Sequence, residues 1–296
     1  MQLGGSIGGR IGELFKIDKE DLGLDVMCGM SALFASLFGT PLTACFFAME
    51  VISVGIIYYA ALVPCMVSAL TAYGISLLMK TEPTRFELAS VPDLSPLTLL
   101  KVCLLAVVCA GVSIIFCVAM KTAHKEFSER IKNKYLRAAV GGLIIVILTL
   151  LLRTTDYNGA GSEIIERAIL QGEAKPLAFL LKIVFTAVTI GCGFKGGEIV
   201  PTMFIGAALG CVVAPLFGLD AGFGAAVGVA ALFCAVVNCP VASIFLSLEL
   251  FGSQGIILFA AACCVSYMLS GSYGLYSSQK LVYSKLHTRY VNQNTK

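Results

Sequence analysis

A chain of 296 residues with 58% hydrophobic and 13% charged side chains has too little polar surface for a soluble globule, in which about a quarter of residues are charged. Its net charge of +3 is small and carries little by itself, far from the strongly basic balance of a nucleic-acid-binding domain. A nucleic-acid partner is therefore not expected.

In chain order, residues 1–79 read as a Gly-rich helix, a polar turn at Lys16–Asp21, an apolar block from Val26, a break at Gly39-Thr40-Pro41 and a long block to Met79. Pro83, Pro92 and Pro96 break any helix in the linker 80–96. Residues 97–120 predict one spanning helix and 138–152 another, separated by a basic stretch from Lys121 to Arg137. The segment 153–175 is polar, with a short amphipathic helix expected from Ser162, and 176–194 forms a further span holding Lys182. A Gly-rich loop, Gly193–Pro201, leads into a second apolar block that reaches Leu250; an apolar span to Leu269 and a basic tail come after it. Several of these stretches carry no charge over the roughly 20 residues a spanning helix needs. Their internal Gly and Pro point to broken or partial helices.

Two parts of the chain repeat one another. Gly23, Gly29, Ala32, Leu33, Phe34, Pro41 and Glu50 recur at a constant offset of 199 as Gly222, Gly228, Ala231, Leu232, Phe233, Pro240 and Glu249. Upstream, Gly4, Gly8, Leu14, Phe15 and Asp18 match Gly206, Gly210, Leu216, Phe217 and Asp220 at an offset of 202. Duplicated halves in an apolar chain are a common plan of secondary transporters and related channels. The expected organisation is a remainder of a first inverted repeat (1–79), an external linker (80–96), a second inverted repeat (97–279) and a basic tail (280–296). The partner of the loop before Pro201 falls ahead of Met1, so the chain is expected to be truncated at its N-terminus.

The loop Gly193–Pro201 is the strongest site candidate. Its glycines permit backbone conformations closed to other residues, and Pro201 suits the first turn of a helix. A helix starting there presents unpaired N–H groups and a positive dipole end, which together make an anion site. An ionisable Glu198 beside it, at membrane depth, is a functional candidate by default. Glu50 and Glu249, symmetric at helix ends, are expected to bond neighbouring backbone. Lys182 and Lys195 are expected to snorkel, and Asn238 and Ser243 to bridge helices.

Twelve Cys are scattered without a CxxC pair, and His124 and His287 are the only imidazoles. Neither a metal site nor a disulfide framework nor a cofactor is expected; buried reduced thiols are.

These residues resemble the CLC family of chloride channels and anion/proton antiporters. Gly196-Gly197-Glu198-Ile199-Val200-Pro201 occupies the place of the family's GxFxP motif. Gly39-Thr40-Pro41-Leu42 with Phe46-Phe47-Ala48-Met49-Glu50 looks like its helix G–H region, and Gly274-Leu275-Tyr276-Ser277 like the start of its last helix. Met1-Gln2-Leu3-Gly4-Gly5 matches the residues immediately after the family's GREGP motif, so that motif's gating Glu and the Ser gate of GSGIP would lie upstream. The resemblance implies an all-α membrane fold of inverted repeats with tilted and re-entrant helices. It also implies a homodimer with two separate pores in the lipid bilayer, each passing halide-like anions. The anion site would use the backbone N–H groups of Glu198 and Ile199 and the Tyr276 hydroxyl, with Glu198 as candidate for proton/anion coupling.

Chloride/proton antiporters carry two Glu where this chain has Glu50-Val51, and Val51 takes no proton; channel members also carry Val there. Phe194-Lys195-Gly196-Gly197-Glu198 is similar to the fluoride/proton antiporter branch, although Val200 stands where that branch usually has Thr. Fluoride or chloride, with protons, is the expected cargo. The alternatives are a chloride channel without proton coupling and a non-functional fragment. The implied location is a bacterial plasma membrane. By the positive-inside rule the basic loop 121–137 and the C-terminus lie in the cytoplasm and the linker outside. An unrelated inverted-repeat carrier would need more intramembrane acids than Glu50, Glu198 and Glu249. An enzyme is not expected, because no Ser-His-Asp set, HExxH or P-loop is present.

Overall fold

The computed structural model describes residues 1–18, 21–81, 83–287 and 289–295. Lys19 and Glu20 of the polar turn, Glu82 of the linker, and Thr288 and Lys296 of the tail lie outside the described residues. The chain begins with α1 (Gln2–Leu14), α2 (Leu22–Phe38) and α3 (Pro41–Glu50), then a short strand β1 (Ser53–Val54), a 3-10 turn at Tyr59–Ala61 and α4 (Leu62–Leu78). After the linker come α5 (Pro96–Arg130), α6 (Lys134–Leu152), α7 (Ser162–Leu170), α8 (Ala178–Gly191), α9 (Ile199–Val213) and α10 (Ala221–Val237). The chain closes with α11 (Pro240–Phe251), α12 (Ile256–Leu269) and strands β2 (Lys280–Tyr283) and β3 (Tyr290–Asn294).

Among the described residues four helical stretches are long and apolar enough to cross a membrane: Tyr59–Leu78, Pro96–Arg130, Lys134–Leu152 and Ile199–Phe217. The span expected at 176–194 is shorter: α8 holds 14 residues, below the crossing length of about 20. Conversely, α5 continues ten residues past the expected end at 120. Lys and Glu are good helix formers, and Glu126 pairs with Arg130 one turn on at 2.7 Å, so the change of polarity at Lys121 does not stop the helix. Ser95 starts α5 by accepting the Thr98 N–H at 3.1 Å, and Asn133 starts α6 by accepting that of Tyr135 at 3.0 Å.

The backbone forms two compact units, one of residues 1–87, 237–256 and 276–295, the other of 88–236 and 257–275. In the first, α1 lies across α2, which packs on α3 and α4, and α3 packs on α11. A core of Met27, Cys45, Ala48, Met49, Ala61 and Cys65 fills the space between α2, α3 and α4. Gly39 ends α2 with φ 68, and a Cβ there would stand 2.4 Å from the Pro83 Cβ. Left-handed geometry and a close approach both call for glycine. At the repeat position before α11, Asn238 takes the same conformation with φ 60, as Asn tolerates. Thr40 and Cys239 then enter their helices with nearly identical angles, −122/75 and −120/79 degrees, ahead of Pro41 and Pro240. Phe46 stacks on Phe245, its repeat partner, at 4.6 Å.

The C-terminal segment departs from the all-helical plan. Tyr276 is followed by a turn through Ser278, not by a helix. Strand β2 then runs parallel to β1 (Ser53 opposite Lys280) and antiparallel to β3 (Lys280 opposite Asn294). Gln279 anchors this turn, its buried amide donating to the carbonyls of Val51 and Val237 at 2.9 Å each. Asn238 donates to the Gln279 side-chain oxygen at 3.0 Å and accepts from Lys285. The β-branched Val282 and the aromatic Tyr283 favour the strand.

In the second unit, α9 is the central helix, covered by α5, α7 and α8. Its crossing with α10 reproduces that of α1 with α2. A Cβ on Gly210 would lie 2.0 Å from the Gly224 carbonyl oxygen, and one on Gly8 would lie 2.2 Å from that of Asp25. Likewise a Cβ on Gly228 would meet the Gly206 oxygen at 2.1 Å and one on Gly29 the Gly4 oxygen at 2.2 Å. Backbones touch here, and only glycine lets them. The covering differs: Ile205 and Leu209 are 0% and 2% exposed, while their repeat partners Leu3 and Ile7 are 64% and 50% exposed.

Candidate functional site at the start of α9

Gly193 leaves α8 with φ 95, the conformation expected of a glycine in this loop. Gly196 and Gly197 do not need that freedom: neither has a positive φ, and a Cβ on either would meet open space. Their contribution is the absence of a side chain, since both line a cavity of about 440 Å³ together with Val200 and Pro201. Residues 193–197 are exposed, Glu198 is half-buried and Ile199 is buried.

Glu198 is the N-cap residue of α9, in a right-handed conformation, and its side chain makes no capping bond. Its carbonyl accepts the Thr202 N–H at 3.1 Å and the Thr202 hydroxyl at 2.7 Å. Pro201 has no N–H to offer. Among the described residues, therefore, the first hydrogen-bonded amide of α9 is that of Thr202. Among those residues the N–H groups of Glu198, Ile199 and Val200 have no acceptor. Orphan amides at a helix start carry the positive end of the dipole, and a half-buried carboxylate stands at their edge. Chemically this arrangement can hold a small dehydrated anion and, through Glu198, exchange a proton beside it.

Tyr276 belongs to the other unit. It is half-buried, and its carbonyl accepts the Gln279 N–H at 3.0 Å and the Thr295 hydroxyl at 2.8 Å.

Lys182 does not snorkel. It is 1% exposed, and its ammonium donates to the carbonyls of Gly159 at 2.7 Å and Tyr157 at 3.2 Å. The Phe204 ring lies 4.8 Å beneath it, within cation–π range. Ser243 bonds within its own helix, to the Cys239 carbonyl at 2.6 Å, so it does not bridge helices. Lys195 is exposed. No disulfide joins any of the twelve Cys among the described residues; Cys264 is exposed and Cys28 and Cys103 are half-buried, where burial was expected.

Glu50 and Glu249 bond backbone, but across the repeat and not locally. Glu50 accepts the N–H groups of Val241 and Ala242 at 3.2 and 2.9 Å. Glu249 accepts those of Leu42 and Thr43 at 2.9 Å each and the Thr43 hydroxyl at 2.7 Å. Each carboxylate thus closes the start of the other repeat's helix, and the four amides are themselves partners under the 199-residue offset.

Residues 1–271 match the family model described as voltage gated chloride channel. A chloride/fluoride channel protein of Pseudomonas syringae pv. tomato is 34% identical over 293 residues, covering 97% of this chain and 65% of the relative. An H(+)/Cl(-) exchange transporter of Vibrio parahaemolyticus is 23% identical, covering 91% of this chain and 61% of the relative. The crystal structure of a CLC-type fluoride/proton antiporter superposes with a TM-score of 0.90 at 34% identity, over 94% of this chain and 70% of that one. A slow cyanobacterial Cl-/H+ antiporter shares the fold with a TM-score of 0.78 at 20% identity, over 91% of this chain and 66% of that one. The chain therefore spans about two thirds of the length of the curated relatives it matches. With its fold, its repeat and its family match in agreement, the chain belongs to the voltage gated chloride channel family, the CLC proteins.

Proposed function

We propose that this chain carries the anion-handling part of a CLC-type membrane transporter, moving fluoride or chloride. The observation that carries this reading is the open start of α9, with three amides that lack an acceptor among the described residues in an otherwise closely packed helix. An ion leaving water must have its hydration replaced, and fixed N–H dipoles do this without trapping it as a full positive charge would. Glu198, half-buried at the same helix start and free of capping duty, is the coupling residue in this reading. Tyr276 supplies a phenolic donor to the transported anion. Fluoride with proton exchange is favoured by the similarity of Phe194–Glu198 to that branch, together with the fluoride/proton antiporter relative at 34% identity. Assembly as a homodimer in a bacterial plasma membrane belongs to the same proposal, with the basic segment 121–137 and the C-terminus on the cytoplasmic side.

Proteoliposomes holding the chain test this with paired fluoride, chloride and pH electrodes. Anion efflux accompanied by proton uptake is expected. Glu198→Gln should keep anion flux and lose the proton movement; an unchanged ratio of protons to anions removes Glu198 from the mechanism. Tyr276→Phe should weaken anion affinity about two- to tenfold, the worth of one hydrogen bond. A second reading, a chloride channel without coupling, draws on Val51, buried where chloride/proton antiporters carry an acid. It predicts that wild-type anion flux leaves the pH electrode still.

A further inference from the structure

The Lys182 ammonium is the most deeply buried charge of the second unit. No carboxylate pairs with it among the described residues. Its partners are the two carbonyl dipoles and the Phe204 ring described above, so the site keeps a net positive charge. An ammonium has three hydrogens to donate, and the carbonyls account for two. Taking a cation out of water without a counter-ion is expensive.

The same ammonium lines the cavity of about 440 Å³ that reaches Gly196 and Gly197. One helical turn further along α8, Thr186 lines it too and is 6% exposed; residues four apart share a helix face. The hydroxyl of Thr189, also in the lining, is taken by the Phe185 carbonyl at 2.7 Å. That of Thr186 has no partner among the described residues. A buried unpaired cation and a free hydroxyl therefore face one space that has room for an ion and several waters, each of about 30 Å³.

We propose that Lys182 and Thr186 form a second anion-binding site, taking a small monovalent anion of the halide class, outside the α9 amides and in the cavity that adjoins them. The site extends the anion reading given above and rests on it for the choice of a halide. Charge selects the ligand and the ammonium's third hydrogen holds it. The Thr186 hydroxyl fixes its position, and the apolar Phe185 and Ile190 in the lining disfavour large hydrated anions.

Bromide is the probe, used on the intact chain in two ways. Anomalous maps of bromide-soaked crystals read the cavity and the α9 amides separately, and calorimetric titration in detergent reads affinity. Wild type should show a peak within bonding distance of Lys182 Nζ and the Thr186 hydroxyl. Lys182→Met should remove it, Lys182→Arg should retain it, and Thr186→Val should weaken the titrated affinity about two- to tenfold. Should Lys182→Met fail to fold, Thr186→Val, which leaves the charge and its carbonyl bonds in place, still decides the matter. An empty cavity in wild-type crystals whose α9 amides are occupied overturns this site and leaves the proposed function standing. A filled cavity beside bare α9 amides supports this site and removes the proposed anion role of α9. Unchanged titrations in both Lys182→Met and Thr186→Val overturn the proposal outright.

Discussion

Three helix starts in this protein face the same electrostatic problem, and two solve it differently from the third. At α3 and α11 the first free amides are closed by the carboxylates of Glu249 and Glu50, at 2.9 to 3.2 Å. At α9 the corresponding amides have no acceptor among the described residues, because Glu198 stands at the cap without turning its side chain back. All three helices begin after a non-helical residue or loop and carry Pro in their first turn. The difference is the supply of an anion. A carboxylate from the same chain makes a helix start structural; the lack of one leaves it available to an ion from outside.

That contrast is broken most severely at Glu50. It is 6% exposed, and Glu50→Ala leaves the part-buried Val241 N–H and the buried Ala242 N–H without this acceptor. Two charge-assisted bonds are worth about 3–6 kcal/mol, so the variant should lose most of the stability of its fold. The midpoint of denaturant unfolding in detergent measures it. Glu249→Ala should lose less, since Glu249 is only partly buried and water can replace it. Stabilities equal to wild type in both variants would make the carboxylates dispensable and dissolve the contrast with α9.

A second variant separates the body of α9 from its start. Gly210→Ala places a methyl group 2.0 Å from the Gly224 oxygen, so α9 and α10 must move apart, at about 1–3 kcal/mol or more. Gly196→Ala adds the same methyl to open space and should change stability by no more than about 0.5 kcal/mol. Equal losses in the two, by the same unfolding measurement, would mean that the loop is packed as tightly as the crossing.

Much of this arrangement can be read from residue types alone, and the rest has physical reasons for being hidden. Glycines at contact crossings and prolines at helix starts allow few substitutes, so the repeat is visible as Gly4/Gly206, Gly8/Gly210 and Pro41/Pro240. The role of Glu50 is half visible: symmetry marks the residue, but its partners are backbone amides some 190 residues away, which any residue supplies. Lys182 is misread as snorkelling for the same reason, because carbonyl partners leave no trace in composition. The strand at Lys280–Tyr283 escapes notice because its neighbour β1 is two residues long, too short for an alternating pattern. At the site itself, Glu198 and Ile199 stand out through the glycines before them. Thr202 does not, since its bond to the Glu198 carbonyl is an ordinary local one.

Thr202→Val offers a smaller and more local perturbation of the open helix start. Removing a hydroxyl bond of 2.7 Å to the Glu198 carbonyl should lower stability by about 0.5–1.5 kcal/mol and loosen the cap residue. Anion affinity in the flux assay should fall with it, if the amides owe their orientation to this bond. A stability loss with unaltered affinity would confine Thr202 to the helix.

The weakest expected effect comes from placing the same kind of carboxylate contact in water. Asp156 and Lys175 join two loops of the second unit at 2.6 Å, with side chains 33% and 61% exposed. The hydrogen bond from Lys175 holds the Asp156 carboxyl below its usual range, and the same bond raises the Lys175 ammonium. Because the folded Asp156 value is depressed, its stabilising contribution is present above the ordinary carboxylate range and is lost as pH falls through the lower folded value. The Lys175 contribution is present below the ordinary lysine range and disappears as pH rises through its raised folded value. Between those limits the pair is intact, yet an exposed pair contributes only about 0.2–1 kcal/mol. Asp156→Asn should therefore lower the unfolding midpoint slightly at pH 7 and not at all at pH 2. Salt should erase even the pH 7 difference, while the Glu50→Ala loss, at a site screened from water, should survive it. A salt-sensitive Glu50→Ala loss would place that carboxylate in the same class as Asp156 and remove burial as the reason the two closed helix starts differ from an exposed ion pair.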